Sequence, residues 1–357
     1  GGLFTIDNAL FESNTAREQG GVIHANGSNF DISNSIFRKN ESKIGGVIYV
    51  FNNSTINITD SIFDSNVATT SGSIIRIDSA NTTVTFKNSV FKNNDGKSSI
   101  VNKGTLNIIS ESGKSTIFTG NIATGDSSLI ENNKIANFTV KTGASLLFDN
   151  NRSEYAGVFE NYSGATMTIT GEAGSIIEFN NNSAGFGSAI YNNGTFNITA
   201  DTIKFAGNTY NADGATSGGG NHDGTIYNAG TMNIDANSVL FIGNTTKRGG
   251  AIDNTGTMTL KNGYFKGNTA YDGGAVLNSG TIVISDSIFE GNTATEGYGG
   301  ALYNYNGTVT VINSSFYNNT SKWSSGGIYN IGTLNIIAND GVSEFKGNFR
   351  TGDNAYR

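Results

Sequence analysis

Few side chains in this sequence could perform chemistry. The chain has two histidines, His24 and His222, and no cysteine, which excludes thiolate nucleophiles, cysteine-ligated metals and disulfides. Two glutamates, Glu131 and Glu160, hold equivalent positions in neighbouring repeats described below. Two like charges placed so close would raise one pKa, as acid–base sites require. No histidine or cation stands beside them at equivalent positions. The sequence therefore predicts a protein that is not an enzyme and that holds no metal or cofactor.

The charge balance argues against nucleic acid as a partner. The 357 residues include 22 Lys and Arg against 29 Asp and Glu, for a net charge of −7. Binding to phosphate backbones needs clustered Lys and Arg, and the chain has no such cluster. Its apolar runs are also far shorter than the roughly 20 residues of a membrane helix. We expect no membrane span in this segment.

A repeat determines the fold. The tetrapeptide Phe-x-x-Asn occurs thirteen times at intervals of 24 to 36 residues. A glycine-rich tetrapeptide alternates with it, as in Gly-Gly-Ala-Ile at 249–252 and Gly-Gly-Ala-Leu at 299–302. Internal repeats of this length are typical of solenoids and related arrays. The simplest interpretation is a single domain over residues 1–357, built of repeats of about 27 residues.

Each repeat contains three short extended segments separated by turn residues. In the first segment, an apolar residue such as Ile190 is followed by a variable residue, Tyr191, and then by Asn192. Successive side chains of a strand point to opposite faces, which places Ile190 and Asn192 inside and Tyr191 outside. Identical buried amides one repeat apart can satisfy each other. The predicted ladder includes Asn192, Asn228, Asn254, Asn304 and Asn330.

The third segment carries the phenylalanine of Phe-x-x-Asn. The residue before each phenylalanine varies, from Ile36 to Glu178 and Lys204, whereas the phenylalanine does not. We therefore expect the rings to stack inside the molecule, with Phe37, Phe63, Phe91, Phe265, Phe289 and Phe316 among them. The chain has no proline, in keeping with strands that must donate to neighbours on both sides.

Together these patterns predict an all-β fold, a right-handed parallel β-helix (solenoid) of about thirteen coils with three short strands per coil. A β-propeller is the alternative architecture. Its blades need about 40 to 50 residues each, more than one repeat provides.

Two features could bind a ligand. One is a stripe of tyrosines at the outer position of the first segment, expected to be exposed and able to stack on sugars or to pack on a partner. This stripe consists of Tyr191, Tyr227, Tyr303 and Tyr329. The other is a predicted loop insertion at 209–222, which contains Tyr210 and His222 and exceeds the usual spacing between repeats. His24 lies on the tyrosine row and is predicted to be a plain surface residue.

The alternating Gly-Gly-Ala-Ile-type and Phe-x-x-Asn tetrapeptides resemble the signature of polymorphic outer membrane protein (Pmp) repeats. These repeats are known from chlamydia-type surface autotransporters and from adhesin-like proteins of other microbes. The resemblance covers essentially the whole chain. It implies a secreted, surface-displayed β-helical passenger that contributes to adhesion. Chlamydia-type members usually carry cysteines and this chain has none, which favours the wider adhesin-like group.

The predicted function is that of a non-enzymatic adhesin or structural stalk at the cell surface, outside the cell. It would present an elongated face to a protein or glycan of a host or neighbouring cell. Two alternatives remain open. One is a polysaccharide-degrading lyase or hydrolase, with Glu131 and Glu160 as its acids. The other is a filament subunit that self-associates end to end through unpaired coil edges.

Overall fold

A computed structural model of the chain describes residues 2–211, 223–339 and 342–352. The described residues form 47 strands, numbered β1 to β47 in chain order, and parallel pairing stacks these strands into long sheets. None of the described residues is helical, so no helix in these ranges could cross a membrane. The predicted all-β parallel solenoid is confirmed. We group its strands into sheets 1, 2 and 3.

Sheet 1 contains the first segment of each repeat and has 12 strands. Most of these strands have three residues, and each pairs with the equivalent strand of the coils before and after it. They are β3 (Ile23–Asn26), β7 (Ile48–Phe51), β11 (Ile75–Ile77), β15 (Ile100–Asn102), β19 (Ile130–Asn132), β23 (Phe159–Asn161), β27 (Ile190–Asn192), β30 (Ile226–Asn228), β32 (Ile252–Asn254), β36 (Val276–Asn278), β40 (Leu302–Asn304) and β44 (Ile328–Asn330).

Sheet 2 has 24 strands and contains the second and third segments. The second-segment strands are β1 (Leu3–Asp7), β4 (Asn29–Ser33), β8 (Thr55–Thr59), β12 (Thr83–Lys87), β16 (Thr105–Ser110), β20 (Ile135–Val140), β24 (Thr166–Gly171), β33 (Thr257–Lys261), β37 (Thr281–Ser285), β41 (Thr308–Ile312) and β45 (Thr333–Ile337). The third-segment strands are β2 (Leu10–Glu12), β5 (Ile36–Arg38), β9 (Ile62–Asp64), β13 (Val90–Lys92), β17 (Ser115–Thr119), β21 (Ser145–Asp149), β25 (Ile176–Asn180), β34 (Gly263–Lys266), β38 (Ile288–Glu290), β42 (Ser315–Tyr317) and β46 (Phe345–Lys346). In two coils both segments join into one strand, β28 (Thr195–Ala206) and β31 (Thr231–Ile242).

Sheet 3 consists of very short strands that follow the third segment, and the sequence patterns did not predict it. It forms stacks of seven and four strands. The strands are β6 (Glu41–Ile44), β10 (Val67–Ser71), β14 (Asp95–Gly96), β18 (Ile122–Ala123), β22 (Arg152–Ser153), β26 (Ser183–Ala184), β29 (Thr209–Tyr210), β35 (Thr269–Ala270), β39 (Thr293–Ala294), β43 (Thr320–Ser321) and β47 (Phe349–Arg350).

The core is a continuous column of phenylalanine rings. Phe37 stacks on Phe63 with ring centroids 4.8 Å apart, and Phe265 stacks on Phe289 at 4.4 Å. Equivalent stacked contacts run from Phe11 to Phe345 through Phe91 and Phe316. The structure thus brings together all the phenylalanines that the repeat places inside.

Two ladders of asparagine side chains run beside this column. The sheet 1 ladder joins each amide Nδ2 to the Oδ1 of the next coil, with 2.7 Å between Asn192 and Asn228 and 2.8 Å between Asn228 and Asn254. Asn304 donates in the same way to Asn330, the last asparagine of this ladder, whose side chain is exposed. The second ladder is made by the asparagines of Phe-x-x-Asn. In it, Asn151 donates to Asn182 and Asn182 donates to Asn208, a ladder that was not predicted from the sequence.

Where two glycines precede a sheet 1 strand, as at 299–300, close approach of the backbone requires them. Gly299 has a φ of +64°, and a Cβ there would lie 2.3 Å from the carbonyl oxygen of Leu302. At Gly300 a Cβ would lie 2.2 Å from the carbonyl oxygen of Gly326 in the next coil. Larger residues would force neighbouring coils apart. The pair therefore sets the tight corner at which the chain enters sheet 1.

Candidate ligand-binding face

The central residues of the sheet 1 strands lie directly above one another on the outer side of the sheet. We call this line of side chains the outer row. Backbone pairing puts Glu131 opposite Glu160, Tyr191 opposite Tyr227, and Tyr303 opposite Tyr329. The complete row is His24, Tyr49, Arg76, Val101, Glu131, Glu160, Tyr191, Tyr227, Asp253, Leu277, Tyr303 and Tyr329.

The expectation that the tyrosine stripe is exposed was wrong. Tyr191, Tyr227 and Tyr303 are only 8%, 4% and 9% exposed, and Tyr329 is half-buried. Around these tyrosines the outer row is covered by aromatic side chains from the connecting segments, whereas His24 at its start is exposed, as predicted. Tyr155 lies against Tyr191, with ring centroids 5.9 Å apart.

The same covering occurs near the other end of the row. Tyr298, which precedes sheet 1, and Tyr305, which follows it, each place a ring centroid 5.8 Å from that of Tyr303. Strand alternation correctly identifies the side of the sheet, but it carries no information about the path of the connections. The aromatic residues just before the glycine corners, such as Tyr298, were the available signal.

At the tenth and eleventh strands of sheet 1, the outer row opens into a cleft of about 580 Å³, which we call the tyrosine cleft. Leu277 and Tyr303 belong to the outer row and line it. The other described lining residues are Asp223, Lys247, Arg248, Tyr271, Asp272 and Tyr305. Tyr271 and Tyr305 are 54% and 45% exposed. These two rings, rather than the predicted stripe, offer aromatic surface to a ligand.

The predicted insertion at 209–222 is described only in part. Thr209 and Tyr210 form β29 and pair with Ser183 and Ala184, so these two residues remain within the rod. Residues 212–222, including His222, lie outside the described residues. Tyr210 carries the ammonium of Lys247 over its ring, 4.0 Å from the centroid, and its hydroxyl accepts a hydrogen bond from that ammonium. Tyr210 therefore positions a charge of the cleft wall.

Beneath the cleft lies a buried carboxyl group. Asp253 is 0% exposed, no described residue gives either of its carboxylate oxygens a hydrogen bond, and the Nε of Arg248 is 3.9 Å from Oδ2. Burial raises the pKa of Asp253 well above its ordinary value, although Arg248 opposes the shift. Burial also raises the pKa of Asp223 to about 6. Asp253 is thus less able to neutralise Arg248 than an exposed carboxylate would be, whereas Asp223 stays mostly ionised at neutral pH.

Glu131 and Glu160 form a second unusual group. Burial raises the pKa of each to about 7. For Glu160 the charge of Glu131 adds to this rise, whereas hydrogen bonds from Tyr162 and Ser128 oppose it. For Glu131 the attraction of Arg76, two coils away, is among the opposing effects. The sequence predicted one raised pKa from repulsion, but both are raised and desolvation is the main cause. Arg76 thus acts on Glu131, although it does not lie in a neighbouring repeat, where the sequence analysis expected any such cation.

This pair predicts how stability depends on pH. The folded state keeps protons that unfolded glutamates, with an ordinary pKa of 4.5, release. The free energy of unfolding should therefore fall as pH rises from 4.5 to about 7, and these groups should add no slope above that window. Since glutamine cannot ionise, Glu160→Gln should stabilise the protein at pH 8 by about 2 kcal/mol and flatten the profile.

Thermal melting followed by circular dichroism at pH 5 and pH 8 measures this effect. Glu178→Gln is the matched control, because Glu178 pairs with Lys204 on the outer surface of sheet 2. The melting temperature of this control variant should not rise specifically at pH 8. A Glu160→Gln variant that melts lower than the wild type at pH 8 would contradict the burial argument.

Comparison with known proteins identifies one repeat. Residues 286–305 match the family model of the Chlamydia polymorphic membrane protein repeat. This stretch contains the Phe-x-x-Asn that begins at Phe289, the glycine pair at 299–300, and Tyr303 of the outer row. Neither the curated proteins nor the solved structures gave a significant match. Residues 286–305 are therefore a repeat of the polymorphic membrane protein type, and the solenoid around them fits the passenger of a surface protein of that kind.

Proposed function

We propose that this chain is an extracellular passenger at the cell surface and acts as an adhesin, binding a partner on a host or neighbouring cell through the tyrosine cleft. The observation that carries the proposal is the cleft itself. It combines exposed rings of Tyr271 and Tyr305 with the charges of Lys247, Arg248 and Asp272. Concave sites with aromatic walls and a few polar groups are typical of ligand binding.

The rest of the molecule supports this role as a rigid scaffold. Neighbouring coils are joined by parallel strand pairing in all three sheets and by the phenylalanine column. Side chains in such a frame lose little freedom when a ligand binds, because their positions are already fixed. The polymorphic membrane protein repeat at 286–305 includes part of the cleft floor, at Tyr303.

Binding of the purified rod to cells tests the proposal. The double variant Tyr271→Ala/Tyr305→Ala should bind at least about tenfold more weakly, since each exposed aromatic contact is worth roughly 1 kcal/mol. The control is Tyr317→Ala, a half-buried tyrosine on sheet 2. Equal binding by the wild type and the double variant, or equal loss in the control, would refute a binding role for the cleft.

A second candidate function is polysaccharide cleavage at Glu131 and Glu160. The observation in its favour is the pKa of about 7 for both carboxyl groups, since acid–base catalysts work best near the ambient pH. Glu160 would be the acid, because the charge of Glu131 favours its protonated form. New reducing ends from a polysaccharide panel, lost in Glu160→Gln, would establish the activity. No cleavage by the wild type would eliminate this candidate.

A further inference from the structure

We propose that the tyrosine cleft takes a neutral saccharide, with sugar rings stacked on its tyrosines and sugar hydroxyls bonded to both its acids and its cations. This inference rests on the proposed binding function and specifies the ligand. It follows from three properties of the cleft: balanced charge among its described lining residues, exposed aromatic rings, and a volume suited to a small ligand.

The balance of charge argues for an uncharged ligand. Two described lining residues are cationic, Lys247 and Arg248, and two are acidic, Asp223 and Asp272. An anion near Arg248 would also meet the acids, and a cation near Asp272 would also meet the two bases. A hydroxyl group both donates and accepts hydrogen bonds. A sugar with several hydroxyls can therefore donate to the acids and accept from the cations at once.

The aromatic side chains suit a flat ring with an apolar face. Tyr305 on the wall is 45% exposed and stands at an interplanar angle of 72° to Tyr303, which is 9% exposed and forms the floor. Tyr271, 54% exposed, supplies the second exposed ring. The C–H face of a pyranose can lie on one ring while its edge meets another. Tyrosine offers this area at little entropic cost and keeps a hydroxyl for hydrogen bonding.

Arg248 supplies a cation to the cleft wall. Its side chain is 24% exposed and lines the cleft. Its Nε is buried and faces inward, 3.9 Å from Oδ2 of the fully buried Asp253, so a ligand in the cleft cannot reach that nitrogen. A hydrogen bond from Arg248 to a sugar hydroxyl must therefore come from the terminal nitrogens of its guanidinium.

The size of the cleft favours a small ligand over a protein surface. Its volume of about 580 Å³ lies within the range of about 300 to 1,000 Å³ that is usual for small-ligand sites. A protein partner would need about 800 Å² of contact on each side. The cleft alone cannot supply such an area, so a protein ligand would have to extend over neighbouring surfaces.

An array of immobilised oligosaccharides tests the ligand class directly. It should carry neutral hexose and N-acetylhexosamine oligomers beside matched uronic acid, sialylated, sulfated and amino-sugar oligomers. We expect the wild type to bind neutral members. Binding should change little between about 0.05 M and about 0.5 M NaCl, since an uncharged ligand offers no ionic attraction to screen.

Variants locate the contact. Tyr305→Ala should weaken saccharide binding roughly tenfold, whereas Tyr305→Phe, which keeps the ring, should cost less than about threefold. Arg248→Gln should also weaken binding, and the control Tyr317→Ala should not. Circular dichroism melting of each variant separates lost binding from lost folding.

The remaining outcomes overturn the inference in different ways. Salt-sensitive binding restricted to uronic, sialylated or sulfated oligomers would show an anionic ligand, and binding restricted to amino sugars would show a cationic one. If the protein binds no glycan but binds cells in a Tyr305-dependent way, its partner is a protein. The saccharide inference is then wrong and the proposed function stands. If the protein binds neither glycans nor cells, both the saccharide inference and the proposed function are wrong.

Discussion

Replacing Phe205 with alanine is expected to destabilise the coil that contains it by about 4 kcal/mol. Phe205 is 0% exposed and stacks on Phe179 and on Phe241, with centroids 4.8 Å apart in both pairs. Alanine removes both contacts and leaves a cavity. The cavity cannot collapse easily, because β28 is held by strand pairing to β25 on one side and β31 on the other.

Chemical denaturation and amide hydrogen exchange measure this loss. Hydrogen exchange is the more informative, since coils of a solenoid contact only their neighbours and can open locally. The matched control is Lys204→Ala, the adjacent residue on the outer face, whose ion pair with Glu178 is partly exposed and worth less than about 1 kcal/mol. A similar loss of protection in both variants would contradict the column as the main source of stability.

The second large effect is expected at Asn182, in the ladder formed by the asparagines of Phe-x-x-Asn. Its Oδ1 accepts hydrogen bonds from both the backbone N and the side-chain Nδ2 of Asn151, at 3.1 and 3.0 Å. Its Nδ2 donates to the carbonyl oxygen of Phe148 at 2.9 Å and to Oδ1 of Asn208 at 3.1 Å. Asn182→Leu would leave several of these buried groups unpaired, at about 1 to 3 kcal/mol each.

We expect Asn182→Leu to cost roughly 4 kcal/mol in total. Asn197→Leu, on the outer side of β28, should change stability by less than about 0.5 kcal/mol. Urea denaturation of both variants provides the comparison. If Asn182→Leu were no more destabilising than Asn197→Leu, the ladder would be a consequence of the fold and not a determinant of it.

The periodic parts of this fold were predictable because two simple rules act on every repeat. Strand alternation placed Phe205, Asn192 and their equivalents inside, and repetition at about 27 residues stacked them in register. Sheet 3 was missed because its strands, such as Ser183–Ala184, are too short to show an alternating pattern.

The candidate site was less predictable because its walls come from connecting segments, which do not repeat. Tyr305 follows the sheet 1 asparagine where the two preceding coils have Thr255 and Ser279, and Asp223 borders the insertion. The pKa values of Glu131 and Glu160 also depend on burial by these connections, which no periodic rule describes.

Blocking single positions with a bulky label tests most directly whether the outer row of sheet 1 is the binding face. The chain has no cysteine, so one introduced cysteine is the sole thiol. Thr255→Cys places it beside the outer row, at the exposed position that Tyr305 holds two coils later, whereas Thr259→Cys and Lys266→Cys place it at exposed positions on sheet 2. Each variant is compared for cell binding before and after reaction with a polyethylene glycol maleimide. We predict that labelling abolishes binding only at position 255. Loss of binding after labelling at 259 or 266, with binding retained at 255, would contradict the account.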